Sequence, residues 1–430
     1  MLGPGPTGRD GQSPDALQEE WATTASILQR KMRNGSLEFT SYKEVLISKG
    51  AHSAPRVVSV PTARDRIALK ALAVTLAGVF PEAKTPMAQV RVAQVVDSLS
   101  SGSFESFVRI DVKNFYPSIP HTVVMDALTA RIRKPAILAL ARKALSTPTV
   151  PVGSARPHFS KLFGVPQGLS VSNLLAEIVM ADVDNEFSSR TGLAYFRYVD
   201  DILILCREAE PEVVFGDLSE RLGRMDLEVH RLGSGSKSQT GQVSDPFEFL
   251  GYRFHGSAVG VRQSSVQKLE NRLVQLFTAY KHESARVSSV SRSLHQRALL
   301  RRVDLVIAGC VFESVPRGWV QYFSQLNDLR LLKRLDAFVS RLVIRFALPP
   351  EFATKTFTRA YWHVTHPTAR TSEYIPNFDK FDTSAQRRLL AQLFPVEHFD
   401  PMSEGEIKRR FHSEVKRLVA MLERDISQTS

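Results

Sequence analysis

Two adjacent aspartates inside an apolar run constrain this chain most. Residues 196–205 read Phe-Arg-Tyr-Val-Asp-Asp-Ile-Leu-Ile-Leu, so Asp200 and Asp201 interrupt a segment typical of a buried β-strand. Two unit charges about 4 Å apart repel by roughly 4 kcal/mol at an effective dielectric near 20. A turn at residues 199–201 would present both carboxylates at a hairpin tip, where oxygen ligands suit a divalent cation such as Mg²⁺. An exposed hairpin with two solvated aspartates is the simpler alternative.

Other segments carry chemistry of the same kind. Residues 107–120, Phe-Val-Arg-Ile-Asp-Val-Lys-Asn-Phe-Tyr-Pro-Ser-Ile-Pro, predict a strand that delivers Asp111 to its end and is followed by two aromatic residues. Residues 164–175, Gly-Val-Pro-Gln-Gly-Leu-Ser-Val-Ser-Asn-Leu-Leu, predict a turn that opens a helix. Residues 247–254, Phe-Glu-Phe-Leu-Gly-Tyr-Arg-Phe, predict an aromatic strand with a glycine break.

In order and spacing, these four segments resemble motifs A, B, C and E of reverse transcriptases. Lys237 falls where motif D normally places its lysine, and residues 56–70 resemble the fingers of bacterial reverse transcriptases. The resemblance covers roughly residues 50–345. It implies an α+β fold: a right-hand polymerase with fingers, a palm with a split βαβ antiparallel sheet and a helical thumb, here followed by a helical C-terminal extension.

The resemblance and the composition together divide the chain. The first segment is too rich in glycine and proline to pack, so we expect it to be disordered. The expected segments are a tail of residues 1–14, an N-terminal and fingers region of 15–105, a palm of 106–120 and 160–255, a fingers insertion of 121–159, a thumb of 256–348 and a helical extension of 349–430.

The resemblance implies a metal-dependent catalytic site. Asp111 and Asp200 are expected to bridge two Mg²⁺ ions, for which Mn²⁺ is a possible substitute. Asp201 is expected to add an anionic ligand or to orient one ion, and the carbonyl of Val112 is expected to add a backbone ligand. All three aspartates are therefore the predicted catalytic residues.

The family also implies a nucleotide site. Tyr116 occupies the place of an aromatic steric gate that leaves no room for a 2′-hydroxyl, with an ordinary core aromatic as the alternative. Gln167 resembles the motif B glutamine that contacts the incoming nucleotide, and Gly168 permits a close backbone approach. At least one of Arg56, Arg64, Arg66 and Lys70 is expected to bind the triphosphate. Lys237 is expected to protonate the leaving pyrophosphate or to pair with it, with an exposed loop lysine as the alternative.

Primer and template binding are expected further along the chain. A net charge of +12 and a pI near 9.7 favour a polyanionic partner. The predicted primer grip consists of Phe249, Leu250, Gly251 and Tyr252, with core packing as the alternative for the two aromatics. The predicted thumb contacts are Arg297, Arg301 and Arg302.

The predicted function is RNA-directed DNA synthesis, with an RNA template, a DNA or RNA primer and dNTPs as partners. The short chain is similar to bacterial abortive-infection and defence-associated enzymes, which indicates a role in anti-phage defence. Alternatives are an RNA-templated or template-independent polymerase, a retron-type enzyme with a dedicated non-coding RNA, and a nucleic-acid-binding scaffold. A second subunit or homo-oligomer is a further possible partner.

The same sequence indicates a cytoplasmic protein. Its two cysteines have neither disulfide nor zinc spacing, and no run of 18 apolar residues predicts a membrane span.

Overall fold

The computed structural model describes residues 7–12, 16–17, 21–48, 54–154, 162–207, 210–233, 235–285, 289–366, 373–394, 399–423 and 426. The chain forms two compact units, Met1–Met87 with Ser103–Gln242, and Ala88–Gly102 with Val243–Ser430. Residues 88–102, expected within the fingers, thus group with the second unit. The remaining predicted domain boundaries stay predictions.

The predicted disordered tail falls largely outside the described residues. Its described part, residues 7–12, contacts the first unit, because Arg9 donates a hydrogen bond to the carbonyl of Ser154. This part of the tail is therefore packed.

The elements alternate between strands and helices up to β10 and are mainly helical afterwards. The described α-helices are α1 (Trp21–Arg33), α2 (Ala63–Val79), α3 (Ala88–Ser100), α4 (Phe115–Ser118), α5 (His121–Thr129), α6 (Pro135–Ser146), α7 (Ser172–Ser188), α8 (Pro211–Gly223), α9 (Gln263–Ser284), α10 (Ser289–Ala308), α11 (Trp319–Tyr322), α12 (Leu329–Arg345), α13 (Phe357–Thr365), α14 (Thr383–Leu393) and α15 (Glu404–Glu423). The described strands are β1 (Tyr42–Ile47), β2 (Arg56–Val60), β3 (Ser106–Asp111), β4 (Thr149–Val150), β5 (Leu193–Tyr198), β6 (Asp201–Cys206), β7 (Gln239–Gln242), β8 (Phe247–Phe249), β9 (Tyr252–His255), β10 (Ala258–Val261), β11 (Cys310–Phe312) and β12 (Val315–Arg317).

The first unit is built on an antiparallel sheet of strand order β5-β6-β3-β7. All six residues of β6 are buried, as its Ile-Leu-Ile-Leu run predicts for a central strand covered on both faces. Helix α7 contacts β5, and α8 contacts β3 and β7. The predicted palm, a split βαβ antiparallel sheet with packed helices, is confirmed.

A second sheet of the first unit has the order β2-β1-β4. Strand β2 runs antiparallel to β1, and the short β4 pairs with β1 in parallel. The segment after β4 returns to this sheet, because the N–H of Ser59 donates to the carbonyl of Gln167 at 2.7 Å. This bond fixes the predicted motif B turn against the fingers strand.

Besides α3, the second unit contains a three-stranded meander, β8-β9-β10, followed by helices and the hairpin β11–β12. The predicted helical thumb and C-terminal extension are confirmed as helical segments. Within the part of the chain that the structure describes, no helix combines the length and apolar character needed to cross a membrane.

Candidate active site

The two aspartates of the apolar run lie at a hairpin, as predicted. Strands β5 and β6 pair antiparallel, with Tyr198 opposite Asp201, which leaves a two-residue loop of Val199 and Asp200. Val199 has a φ of 61°, a left-handed conformation that is strained for a β-branched residue. The hairpin therefore holds Asp200 at its tip at some conformational cost.

Strand pairing brings the third aspartate to the same place. In the β3–β6 ladder, Asp111 is directly opposite Asp201, and the N–H of Val112 donates to the carbonyl of Asp200 at 3.3 Å. Directly opposed residues on antiparallel strands have Cβ atoms roughly 4.5–5.5 Å apart. The three predicted catalytic carboxylates are thus gathered at one end of the palm sheet.

Asp200 is in an environment that disfavours its charge. It is 8% exposed, and burial together with the negative charge of Asp111 raises its pKa to about 7. A bound cation would relieve both effects, because it replaces lost solvation and screens the carboxylates from each other. The environment therefore fits a divalent cation.

The backbone adds a further oxygen on this side. In extended backbone, the N–H and C=O of one residue point in the same direction. Because the N–H of Val112 donates to Asp200, its carbonyl faces the same side of the strand. The role of this carbonyl as a backbone ligand stays a prediction.

Asp111 has two basic neighbours. The ammonium of Lys237 lies 3.2 Å and the Nε2 atom of His230 lies 3.3 Å from its Oδ1 atom. The backbone N–H of Asp111 also donates to the hydroxyl of Ser238 at 3.3 Å. The predicted motif D lysine therefore contacts one of the predicted catalytic carboxylates directly.

Asp201 has a different environment. The Nε atom of Arg109 lies 3.3 Å from its Oδ1 atom, and both side chains are largely buried. This ion pair favours the second of the two roles predicted for Asp201, orientation of the site, over direct binding of an ion.

The described residues contain no group of three His, Cys, Asp or Glu side chains already placed to hold one metal ion. This is compatible with Mg²⁺, which is commonly held by one or two carboxylates together with substrate phosphates. Asp111, Asp200 and the Val112 carbonyl therefore fit a site that the nucleotide itself completes.

Tyr116 lies next to this carboxylate group and is anchored by its hydroxyl. Its O–H donates to Oδ1 of Asn173 at 2.9 Å, and the Asn173 amide donates to Oγ1 of Thr85 at 2.7 Å. Burial, and then the charge of Asp200, raises the pKa of Tyr116 above its ordinary value. The tyrosine is thus half-buried, neutral and within electrostatic reach of the hairpin.

The predicted motif B turn packs tightly against strand β2. Gly168 has a φ of +97°, and a Cβ atom there would lie 2.7 Å from Cγ1 of Val58 and 3.0 Å from the Ser59 carbonyl. The structure thus requires glycine at this position for close packing against the fingers strand. Gln167 is half-buried, and its carbonyl binds Ser59.

The predicted triphosphate cations have different environments. The guanidinium of Arg64 binds the buried carboxylate of Asp65 at 2.6 Å and the carbonyl of Glu38 at 3.0 Å, so it is committed to a structural contact. Burial lowers the pKa of Arg66, and the charge of Asp10 opposes this shift. Arg56 is half-buried at the start of β2. The structure therefore argues against Arg64 as a phosphate ligand.

The predicted primer grip is located in the second unit and is largely core. Phe249, Leu250 and Tyr252 are each at most 1% exposed, so their side chains are inaccessible to nucleic acid. Gly251 has a φ of +81° in the turn between β8 and β9, and its carbonyl accepts a hydrogen bond from the N–H of Arg262. The burial of Phe249 and Tyr252 favours the core-packing alternative for the two aromatics, and primer binding by this segment stays a prediction.

The three predicted thumb arginines lie on α10. Arg297 is exposed, whereas Arg302 donates to the carbonyl of Leu393 at 3.0 Å. Arg301 lines a cavity of about 880 Å³ together with Asp304 and Lys355. Arg297 and Arg301 are both exposed, so both remain candidates for a phosphate contact.

A buried network of ion pairs beneath the hairpin was not predicted from the sequence. The guanidinium of Arg197 binds Glu177 at 2.7 Å, Asp184 at 2.5 Å and the Val199 carbonyl at 3.0 Å. A signal was present, because Glu177 and Asp184 are seven residues apart on one face of a predicted helix, and Arg197 lies in an otherwise apolar strand. A basic residue in a buried strand requires such partners.

Part of the chain that carries this site is similar to known proteins. Residues 47–254 match the family described as reverse transcriptase (RNA-dependent DNA polymerase). Over 181 residues the chain is 24% identical to the "Uncharacterized 91 kDa protein in cob intron" of Schizosaccharomyces pombe, an alignment that covers 40% of this chain and 22% of that protein. The chain therefore spans about a fifth of the length of this curated relative.

Solved structures of telomerases are also similar. Telomerase from Candida albicans in complex with a TWJ fragment of telomeric RNA matches with a TM-score of 0.46 and 13% identity, over 94% of this chain and 68% of that one. Apo telomerase from Candida tropicalis, truncated from its C-terminal domain, matches with a TM-score of 0.41 and 15% identity, over 57% of this chain and 60% of that one.

The family match covers the fingers strand β2, the palm sheet, the Asp-Asp hairpin and the motif B turn. The match over residues 47–254 therefore indicates a reverse-transcriptase domain, and with it an RNA-directed DNA polymerase, which is a nucleotidyltransferase.

Proposed function

We propose that this protein is an RNA-directed DNA polymerase that extends a primer 3′-hydroxyl with deoxynucleotides, using two Mg²⁺ ions. The observation that carries the proposal is the convergence of Asp111 and Asp200 at one end of the palm sheet. Bare carboxylates in this arrangement repel each other, so a cation-binding role accounts for their proximity.

Each residue of the site has a distinct task in this proposal. Asp111 and Asp200 hold the ions with the Val112 carbonyl, and Asp201, paired with Arg109, orients the site. The ions, when bound, stabilise negative charge on the attacking and leaving oxygens. Lys237 lies beside Asp111, where its ammonium is placed to donate a proton to the leaving pyrophosphate or to pair with it.

Tyr116 supports the choice of deoxynucleotides. Its ring lies close enough to the hairpin for the charge of Asp200 to affect its hydroxyl. A ring beneath the sugar of the incoming nucleotide leaves no space for a 2′-hydroxyl. Ribonucleotides are therefore rejected by contact with the ring.

The charge of the chain supports nucleic-acid substrates. With 56 Lys and Arg against 44 Asp and Glu, the protein attracts an RNA template and a primer through their phosphates. A dedicated non-coding RNA, a second protein subunit or a second copy of the chain are compatible further partners.

The reaction is tested with purified full-length protein, a heteropolymeric RNA template, a labelled DNA primer, and either dNTPs or rNTPs. We expect dNTP-dependent extension with Mg²⁺ or Mn²⁺, abolished by EDTA, with a product complementary to the template. Product whose sequence ignores the template would support template-independent synthesis. Preferential use of rNTPs would support an RNA polymerase, and RNA binding without synthesis would support a scaffold.

For the biological role we propose anti-phage defence in a bacterial cytoplasm. The proposal rests on the resemblance of the sequence motifs to those of abortive-infection enzymes. Sequencing of the nucleic acid that copurifies with the protein tests the role. A single structured RNA joined to its DNA copy would instead support a retron-type enzyme.

A further inference from the structure

We infer that Asn173 is a specificity-determining residue that holds Tyr116 in its sugar-excluding position. The inference rests on the proposed function, because it assigns a role within the same site. It starts from a chain of two hydrogen bonds, from the Tyr116 hydroxyl to Asn173 at 2.9 Å and from the Asn173 amide to Thr85 at 2.7 Å.

A steric gate discriminates only if its ring is held in place. The neighbouring Phe115 packs edge-on against the Tyr116 ring, with ring centroids 5.5 Å apart, and Tyr116 is partly buried against the core of the first unit. A tyrosine side chain has two rotatable bonds, and its outer torsion has a broad energy minimum. The hydroxyl anchor therefore restricts the end of the ring that lies farthest from the backbone.

Asn173 is a suitable anchor because the helix that carries it is fixed on both sides. The preceding Ser172 donates its hydroxyl to the carbonyl of Pro166. One turn later, Glu177 binds the buried Arg197 through both carboxylate oxygens, at 2.7 and 3.2 Å. Residues four apart share a helix face, so Asn173 and Glu177 are neighbours on the same face of α7.

The amide itself is also held in one orientation. Because its NH₂ group donates to Thr85, its carbonyl oxygen is directed to the Tyr116 hydroxyl. Asn173 is exposed, so water competes for the bond when the tyrosine moves. A neutral hydrogen bond of ordinary net strength limits the effect on selectivity to roughly tenfold.

The test compares the ratio of dNTP to rNTP incorporation efficiency on one primed RNA template. The variants are Asn173→Leu, which keeps the size but removes the acceptor, Asn173→Asp, which keeps the acceptor, Tyr116→Phe, and the double variant Tyr116→Phe/Asn173→Leu. Asn185→Leu is the matched control, since Asn185 is exposed on the same helix farther from the site.

We expect Asn173→Leu and Tyr116→Phe each to lower the ratio by roughly three- to tenfold, and the double variant to be no worse than either. Asn173→Asp and Asn185→Leu should keep the wild-type ratio. An unchanged ratio in Asn173→Leu would overturn the inference, because packing alone would then hold the ring. Additive losses in the double variant would also overturn it, because Tyr116 and Asn173 would then act independently.

A second readout does not depend on polymerase activity. The protein is labelled with 3-fluorotyrosine, and the ¹⁹F resonance that disappears in Tyr116→Phe is assigned to Tyr116. In the wild type this resonance reports the environment of the Tyr116 ring directly. It should shift or broaden in Asn173→Leu but stay unchanged in Asn185→Leu. If the wild-type protein incorporates no nucleotide, the proposed function fails while this measurement still tests the anchor; an unperturbed resonance in Asn173→Leu overturns the anchor itself.

Discussion

The ammonium of Lys237 lies 3.2 Å from a carboxylate oxygen of Asp111, so the predicted motif D lysine contacts one of the three predicted catalytic carboxylates. Its charge also lowers the pKa of Asp200, against the larger effects of burial and Asp111. Lys237 therefore partly balances the negative charge that a metal-binding site requires, and more than half of its side chain remains exposed to an incoming nucleotide.

Replacing Lys237 with Met should slow nucleotide incorporation at saturating dNTP by roughly 10²-fold, the lower range for loss of a positioned proton donor. Single-turnover extension of a primed RNA measures the rate. Lys113→Met is the matched control, because Lys113 pairs only with the exposed Glu228 at 3.3 Å. Equal rates in the wild type and Lys237→Met would make Lys237 a surface residue.

Arg197 should be the main stabilising residue beneath the hairpin. Arg197→Met leaves Glu177 and Asp184 without their cation, and breaking a buried ion pair costs about 3–5 kcal/mol. Denaturant unfolding measures the loss. Arg224→Met should change stability by less than about 1 kcal/mol, because its pair with Glu220 is exposed. Similar losses in both variants would contradict the assigned role.

Arg64 should matter for folding and not for nucleotide affinity. Arg64→Ala removes the partner of the fully buried Asp65, so we expect a lower melting temperature and an unchanged KM for dNTP. Thermal unfolding and steady-state extension measure the two quantities. A KM raised tenfold or more at unchanged stability would return Arg64 to the triphosphate site.

RNA affinity should fall steeply with salt, with log K almost linear in log salt concentration. Arg297→Ala should reduce the slope by about 1 if this exposed arginine contacts a phosphate. Arg302→Ala should leave the slope unchanged, because Arg302 binds the Leu393 carbonyl. Filter binding at several salt concentrations provides the slopes, and identical slopes in wild type and Arg297→Ala would exclude the contact.

Local patterns predicted the palm and its carboxylates well. An acid at the end of an apolar strand, as at Asp111, and two acids within such a strand, as at Asp200 and Asp201, are costly unless they meet at a site. Their convergence follows from antiparallel pairing of β3 with β6. The palm strands and their carboxylates could therefore be predicted from burial and period-two patterning.

The partners of charged and aromatic side chains were harder to predict. The aromatic run around Phe249 and Tyr252 is equally consistent with a binding surface and with core, and only tertiary packing shows that it is core. Likewise, the sequence does not reveal that the guanidinium of Arg64 binds the carbonyl of Glu38, 26 residues away in the chain. Such choices depend on contacts between distant segments, which local propensity does not encode.

The most direct test of the account replaces Asp200 with Asn in the full-length protein and measures dNTP incorporation on a primed RNA template in Mg²⁺. Asp182→Asn, at an exposed position on α7, is the control. We expect Asp200→Asn to abolish synthesis, because the hairpin loses the carboxylate charge that is proposed to bind the metal ions. RNA binding by Asp200→Asn and the activity of the Asp182→Asn control should remain. Synthesis at the wild-type rate by Asp200→Asn would contradict the account.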